Sequence, residues 1–320
     1  MVSPEIIRRF VSRIKMRHNN INEPTIEKDF YLTLLLNEIS KTIEENKASP
    51  FSQLVFKGGT LLARTHLNYH RLSEDLDFTY RENKELNKLS AQQRNKIISQ
   101  FTGQLVKEIM AGSTKYGLNF SPDKSNRKYC KVLDRKKVYL FRIYYTPVYG
   151  AEEFIKFEVN FNDELLYAPL FEDLKHLFDE ELVKDLEFVE NIKINIRKNI
   201  SCYDLREIAV EKIRAILTRP AIKERDLLDL FLVSKLAAVI HINREQAVAK
   251  IVSTASFVKG LPAKIQNNLD MLTKHRQDIL EEKEQLILMR IDEKEYSDFE
   301  KRIIPLLIDI GKQAVSQLQP

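Results

Sequence analysis

Apolar residues at helical spacing open the chain. They recur over residues 4–16 and again over 26–46, where Ile26, Phe30, Leu34 and Leu35 line one face. Glu27, Lys28 and Asp29 fall in the first turn of that second predicted helix. A short β-like run, Leu54-Val55-Phe56, then leads into Lys57-Gly58-Gly59-Thr60, and helical periodicity resumes over 61–67. The pattern predicts a strand over 72–80 and one long polar helix over 84–110. Strands follow at 129–133, 138–145 and 154–161, the first two joined by a turn at Asp134-Arg135-Lys136-Lys137. Ile192, Ile194 and Ile196 alternate in a further β-like stretch. After Asp204, a candidate N-cap, the chain reads as helix almost to its end, with Arg219-Pro220 separating two of the helices. Ile303, Leu306, Leu307 and Ile310 mark an apolar face in the last of them. The expected architecture is therefore α+β, with residues 1–200 forming a mixed domain and 201–320 a helical one.

Composition narrows the class. The 320 residues include only 8 Gly and 10 Pro, which favours helix over an all-β or linker-rich protein. A net charge of +5 permits a nucleic-acid partner without requiring one. No apolar stretch approaches the ~18 residues of a membrane span, so no membrane partner is expected. Glu5, Arg8, Arg9 and Arg13 interrupt the first apolar run, which does not read as a signal peptide. Two cysteines, Cys130 and Cys202, cannot build a disulfide framework or a cysteine zinc site, and a reducing cytoplasm is the expected location. The six histidines show no ligand spacing.

The chemistry concentrates between Lys57 and Tyr80. Strand residues two apart share a face, so Asp75 and Asp77 project together while Leu76 and Phe78 enter the core. Two such carboxylates can share hard divalent cations and leave room for triphosphate oxygens. Gly58 and Gly59 lack Cβ atoms, which lets backbone N–H groups approach a phosphate. Metal-assisted phosphoryl transfer commonly uses a third carboxylate. In 154–161, Ile155, Phe157, Val159 and Phe161 alternate inward and leave Lys156, Glu158 and Asn160 on the other face, with Glu158 the only acid within the run. Asp163 and Glu164, just past the strand, are weaker rivals. A basic cluster, Lys124, Arg127, Lys128, Lys131, Arg135, Lys136 and Lys137, surrounds Tyr129. It suits either an RNA-binding hairpin or an ordinary solvated rim.

Lys57-Gly58-Gly59-Thr60 with Ser73-Glu74-Asp75-Leu76-Asp77 resembles the AbiEii/AbiGii-type toxins, MenT-type enzymes included, a branch of the DNA polymerase β-like nucleotidyltransferase superfamily. Glu27-Lys28-Asp29-Phe30 is similar to a Glu-Lys-Asp-aromatic signature upstream of the family's Gly-Gly. Glu211-Lys212-Ile213-Arg214-Ala215, followed by Arg225-Asp226-Leu227-Leu228-Asp229-Leu230, is similar to its Glu-Lys…Arg-Asp-x-x-Asp-Leu pattern. The blocks run in family order over residues 26–233.

The resemblance implies a nucleotidyltransferase-fold mixed sheet flanked by helices and followed by a helical C-terminal domain. It implies an enzyme that uses Mg²⁺ (or Mn²⁺) and an NTP to transfer NMP to a hydroxyl, with an RNA or tRNA 3′ end as acceptor, in a toxin–antitoxin or phage-defence system. A cognate antitoxin is the implied partner. On this reading Asp75, Asp77 and Glu158 hold metal, and Lys212 and Asp226 complete the catalytic set. Lys57, Gly58, Gly59, Thr60, Ser73, Lys212 and Arg225 serve the nucleotide, while Arg127, Lys128, Lys131, Arg135, Lys136 and Lys137 serve RNA. For Lys212 the alternative is an exposed partner of an acid on its own helix; for Asp229, a structural salt bridge or cap. Two rival functions remain: transfer to a small molecule or protein, and non-catalytic binding of nucleotide or RNA.

Overall fold

The computed structural model describes residues 2–133, 137–197, 199–236, 243–256, 258–274, 288 and 291–318. The chain divides into two compact units, Met1–Tyr203 and Asp204–Pro320.

The first unit is α+β. Helices α1 (Pro4–Arg17) and α2 (Glu23–Glu45) precede strand β1 (Leu54–Lys57), the short α3 (Gly58–Arg64) and β2 (Asp75–Tyr80). Next come α4 (Asn83–Lys88), α5 (Ala91–Lys115), β3 (Cys130–Leu133), β4 (Val138–Tyr145) and β5 (Glu153–Asn160), then β6 (Leu170–Phe171), α6 (Glu180–Phe188) and β7 (Ser201–Cys202). Among the described residues these strands form one mixed sheet in the order β3-β4-β5-β2-β1-β7-β6. β2 runs parallel to β5 and antiparallel to β1.

Period-2 alternation gives this sheet one apolar face. Phe56, Phe78 and Phe157 stack side by side across β1, β2 and β5, with ring centroids 5.0 and 4.8 Å apart. Helices α2 and α5 cover that face: Tyr31 meets Tyr145 at 4.7 Å, and Phe101 meets Tyr80 and Phe161. Asp75, Asp77, Lys156 and Glu158 lie on the opposite face, half-buried.

Two predicted elements differ. The helix expected over 84–110 is broken at Leu89–Ser90, because Ser90 leaves the helix to cap α5 in a reciprocal box with Gln93. The stretch with Ile192, Ile194 and Ile196 alternates in burial but joins no strand. Its backbone bonds instead to side chains of α2. The N–H groups of Asn195 and Arg197 donate to Asn37 Oδ1 and Ser40 Oγ at 2.7 and 2.9 Å, and the carbonyl of Lys193 accepts from Asn37 Nδ2 at 3.0 Å. Polar side chains on a buried helix here do what a neighbouring strand does elsewhere.

The second unit is helical: α7 (Leu205–Thr218), α8 (Glu224–Leu236), α9 (Arg244–Ser253), α10 (Leu261–Lys274) and α11 (Glu293–Leu318). Asp204 caps α7 by accepting from the Arg206 N–H at 2.8 Å. Ile213, Ile216, Leu227, Ile251, Ile265, Leu307 and Ile310 are fully buried. On α11, Ile304 takes the buried position expected of Leu306, which is only partly covered. Among the described residues no helix is long and apolar enough to cross a membrane.

Candidate active site

Sheet register brings the predicted acids together. Asp77 sits opposite Lys57 on β1 and Glu158 on β5, while Asp75 sits opposite Lys156. Asp75, Asp77, Lys156 and Glu158 project from the sheet face away from the Phe56–Phe78–Phe157 core. The Lys156 ammonium lies among three carboxylates, 3.1 Å from Asp75 Oδ2, 3.4 Å from Asp77 Oδ1 and 3.5 Å from Glu158 Oε2. Burial works against its charged form, but the attraction of Asp77, Asp75 and Glu158 exceeds that penalty and raises its pKa. Burial also raises the pKa of Asp75 against the pull of Lys156, and burial together with Asp77 raises that of Glu158. The lysine went unmarked as a site residue in the sequence. Its signal was there: it shares a face with Glu158, two positions on.

The glycine pair borders this cluster. Gly58 adopts φ +85°, and a Cβ there would lie 2.7 Å from Asp77 Oδ2. A side chain at Gly59 would overlap the Arg71 guanidinium and crowd Ser73 Oγ at 3.2 Å. Both positions thus have an internal reason to be glycine, besides any phosphate approach. Thr60 Oγ1 donates to the carbonyl of Asp75 and ties the start of α3 to β2. Lys57 is already engaged: its ammonium is buried 2.7 Å from Asp163 Oδ2. That contact gives Asp163, the rival third acid, a partner of its own.

The Glu27-Lys28-Asp29-Phe30 block acts as a brace. Glu27 accepts from the Val148 N–H at 2.8 Å and the Tyr149 N–H at 3.3 Å. Burial raises its pKa against these bonds. Lys28 reaches Glu74 and Glu153 at 3.4 Å each, spanning the segments that lead into β2 and β5. Asp29 forms a fully buried pair with Arg64, at 2.7 Å, which anchors the far end of α3. Phe30 packs between Phe10 and Phe178.

In the second unit Lys212 is not an exposed partner on its own helix. Its ammonium is buried 2.7 Å from Asp226 Oδ1 and 2.6 Å from Asp229 Oδ2, both on α8. Arg219 pairs with the other oxygen of Asp226. Arg225 is partly exposed.

The basic hairpin lies at the sheet edge on β3. Arg127, Lys128 and Lys131 are exposed, and Lys128 pairs with Glu152 at 3.2 Å and covers the Tyr144 ring. Lys137 donates to Asn162 at 2.7 Å. Tyr129 packs edge-on against Phe120 and Tyr144. Arg135 and Lys136 lie outside the described residues.

Among the described residues no three His, Cys, Asp or Glu side chains stand together in metal-ligating geometry. Asp75, Asp77 and Glu158 nevertheless suit a hard divalent ion. They are oxygen donors, and they already surround one positive charge.

A family model described as "Nucleotidyl transferase AbiEii toxin, Type IV TA system" matches residues 44–318. Among curated proteins none matches significantly. Similar solved structures include MenT4, the nucleotidyltransferase toxin Rv2826c of Mycobacterium tuberculosis H37Rv, at 13% identity and TM-score 0.49 over 100% of both chains. JHP933 from Helicobacter pylori is 17% identical, with TM-score 0.40, over 93% of this chain and 94% of its own.

Proposed function

The chain belongs to the AbiEii family of nucleotidyl transferase toxins, and from that premise we propose that it moves NMP from an NTP onto an RNA hydroxyl, a tRNA 3′ end in particular. The family's membership in two-component toxin–antitoxin systems supports an antitoxin as its partner. The observation that carries the catalytic reading is the convergence of Asp75, Asp77 and Glu158 on one cation position beside Gly58. Asp75, Asp77 and Glu158 would hold Mg²⁺, which supplies electrostatic stabilisation to the phosphoryl group in flight. Glu158 is also a candidate acceptor for the proton of the attacking hydroxyl. Gly58, Gly59, Thr60 and Ser73 would border the phosphates, with pyrophosphate leaving. Roles for Lys57, Lys212, Arg225 and Asp226 at the nucleotide rest on the family resemblance. The described contacts of Lys57, Lys212 and Asp226 are buried ion pairs. Exposed Arg127, Lys128 and Lys131 support RNA docking along β3 through phosphate contacts, which position a nucleic acid without reading its sequence.

Incubating the purified chain with each labelled NTP, Mg²⁺ and total RNA tests the proposal. Label should enter RNA with one or more NTPs and disappear with EDTA. Label appearing only in protein or a small molecule would replace RNA as acceptor. No incorporation from any NTP would overturn catalysis.

A further inference from the structure

Three carboxylates and one ammonium leave the sheet-face cluster two negative charges in excess. Two of the three acids are tied locally. Asp77 is hemmed in by the backbone at Gly58, where no Cβ could stand, and the Asp75 main chain is held by Thr60. Lys156 is the movable one: its charge sits on a flexible four-carbon stem. An ammonium 3.1–3.5 Å from the three carboxylates and a divalent ion bound at about 2.0–2.1 Å cannot occupy the same space.

We propose that Lys156 is a displaceable internal counter-ion. It holds Asp75, Asp77 and Glu158 together in the metal-free protein and must swing aside for a divalent cation to enter. This rests on the proposed metal role of the three acids. A consequence concerns how the site loads. A bare cation leaves the displaced ammonium beside a dication, whereas a cation arriving with a triphosphate brings an anionic partner for it. The lysine therefore disfavours the free ion and favours the metal–nucleotide unit.

Mn²⁺ titration of the full chain, followed by electron paramagnetic resonance, tests this without any turnover. Lys156→Met should bind free Mn²⁺ at least about tenfold more tightly than the parent, since a positive charge a few ångströms from the ion is gone. In EDTA its melting temperature should fall, because three acids then face one another without a counter-ion. A non-hydrolysable NTP analogue should strengthen Mn²⁺ binding more in the parent than in the variant. Lys156→Arg should stay close to the parent in EDTA stability, and Lys156→Gln serves in place of Lys156→Met if the latter fails to fold. Equal Mn²⁺ affinity and equal stability in parent and variant would overturn the counter-ion and leave the metal reading intact. No Mn²⁺ bound by either protein, with or without the analogue, would overturn the metal reading and the displacement with it.

Discussion

Each unit of this chain surrounds a lysine with carboxylates, and the two arrangements are opposite in balance and exposure. In the first, one lysine serves three acids, and Asp75, Asp77 and Glu158 keep 34%, 24% and 25% of their side-chain exposure. In the second, Lys212 and Arg219 meet Asp226 and Asp229, so the charges cancel, and the two acids are 2% and 0% exposed. A balanced cluster with buried acids is an internal tie: breaking it strands a carboxylate where water hardly reaches. An acid-rich, half-open cluster is stable only while a cation stays near, which is the condition for recruiting one. The contrast separates two sets of residues that the family motifs list side by side.

The comparison can be broken most directly at Lys212. Lys212→Met should destabilise the protein by about 3–5 kcal/mol, the cost of leaving buried carboxylates without their partner. Denaturant unfolding measures this. A stable variant with a raised KM for NTP would show that the tie is a nucleotide contact instead.

Asp77→Ala should behave the other way. Transfer should drop by about 10²–10³-fold, as when one electrostatic stabiliser of a transition state is removed. The melting temperature should not fall, because an excess negative charge is relieved. Near-parental NMP incorporation would refute the catalytic assignment.

Gly58→Ala should cost about 1–2 kcal/mol from its left-handed backbone and also depress transfer, because the new methyl pushes on Asp77. Gly260 provides the control. It too has a positive φ, but nothing lies within 4 Å of its added Cβ, so Gly260→Ala should lose a similar stability and no activity. Equal activities for the two variants would show that the contact with Asp77 is irrelevant to turnover.

The smallest expected effect is at the sheet edge. Arg127→Ser with Lys131→Ser should lower the slope of log K against log salt for RNA by roughly 0.7–0.9 per lost phosphate contact. NTP binding should not change. A slope identical to the parent would remove this edge as the docking surface.

Local pattern decided a good deal. The alternation Ile155-Phe157-Val159 against Lys156-Glu158, and Leu76-Phe78 against Asp75-Asp77, assigned each side chain to its face, because a strand repeats every two residues. The ordered motifs from Glu27 to Leu230 were enough to suggest the family. What periodicity cannot carry is which strand neighbours which. That β5 lies beside β2, parallel and in register, sets Glu158 against Asp77 and Lys156 against Asp75, and this pairing joins segments some 80 positions apart. The same limit hid the Lys57–Asp163 pair and the commitment of Lys212 to α8. It also turned the alternating isoleucines of 192–196 into a segment bound by Asn37 and Ser40 rather than a strand. A sequence fixes the face a side chain takes through short-range geometry. Its partner across the fold is chosen by long-range packing, where burial of the shared apolar face decides which distant segments meet.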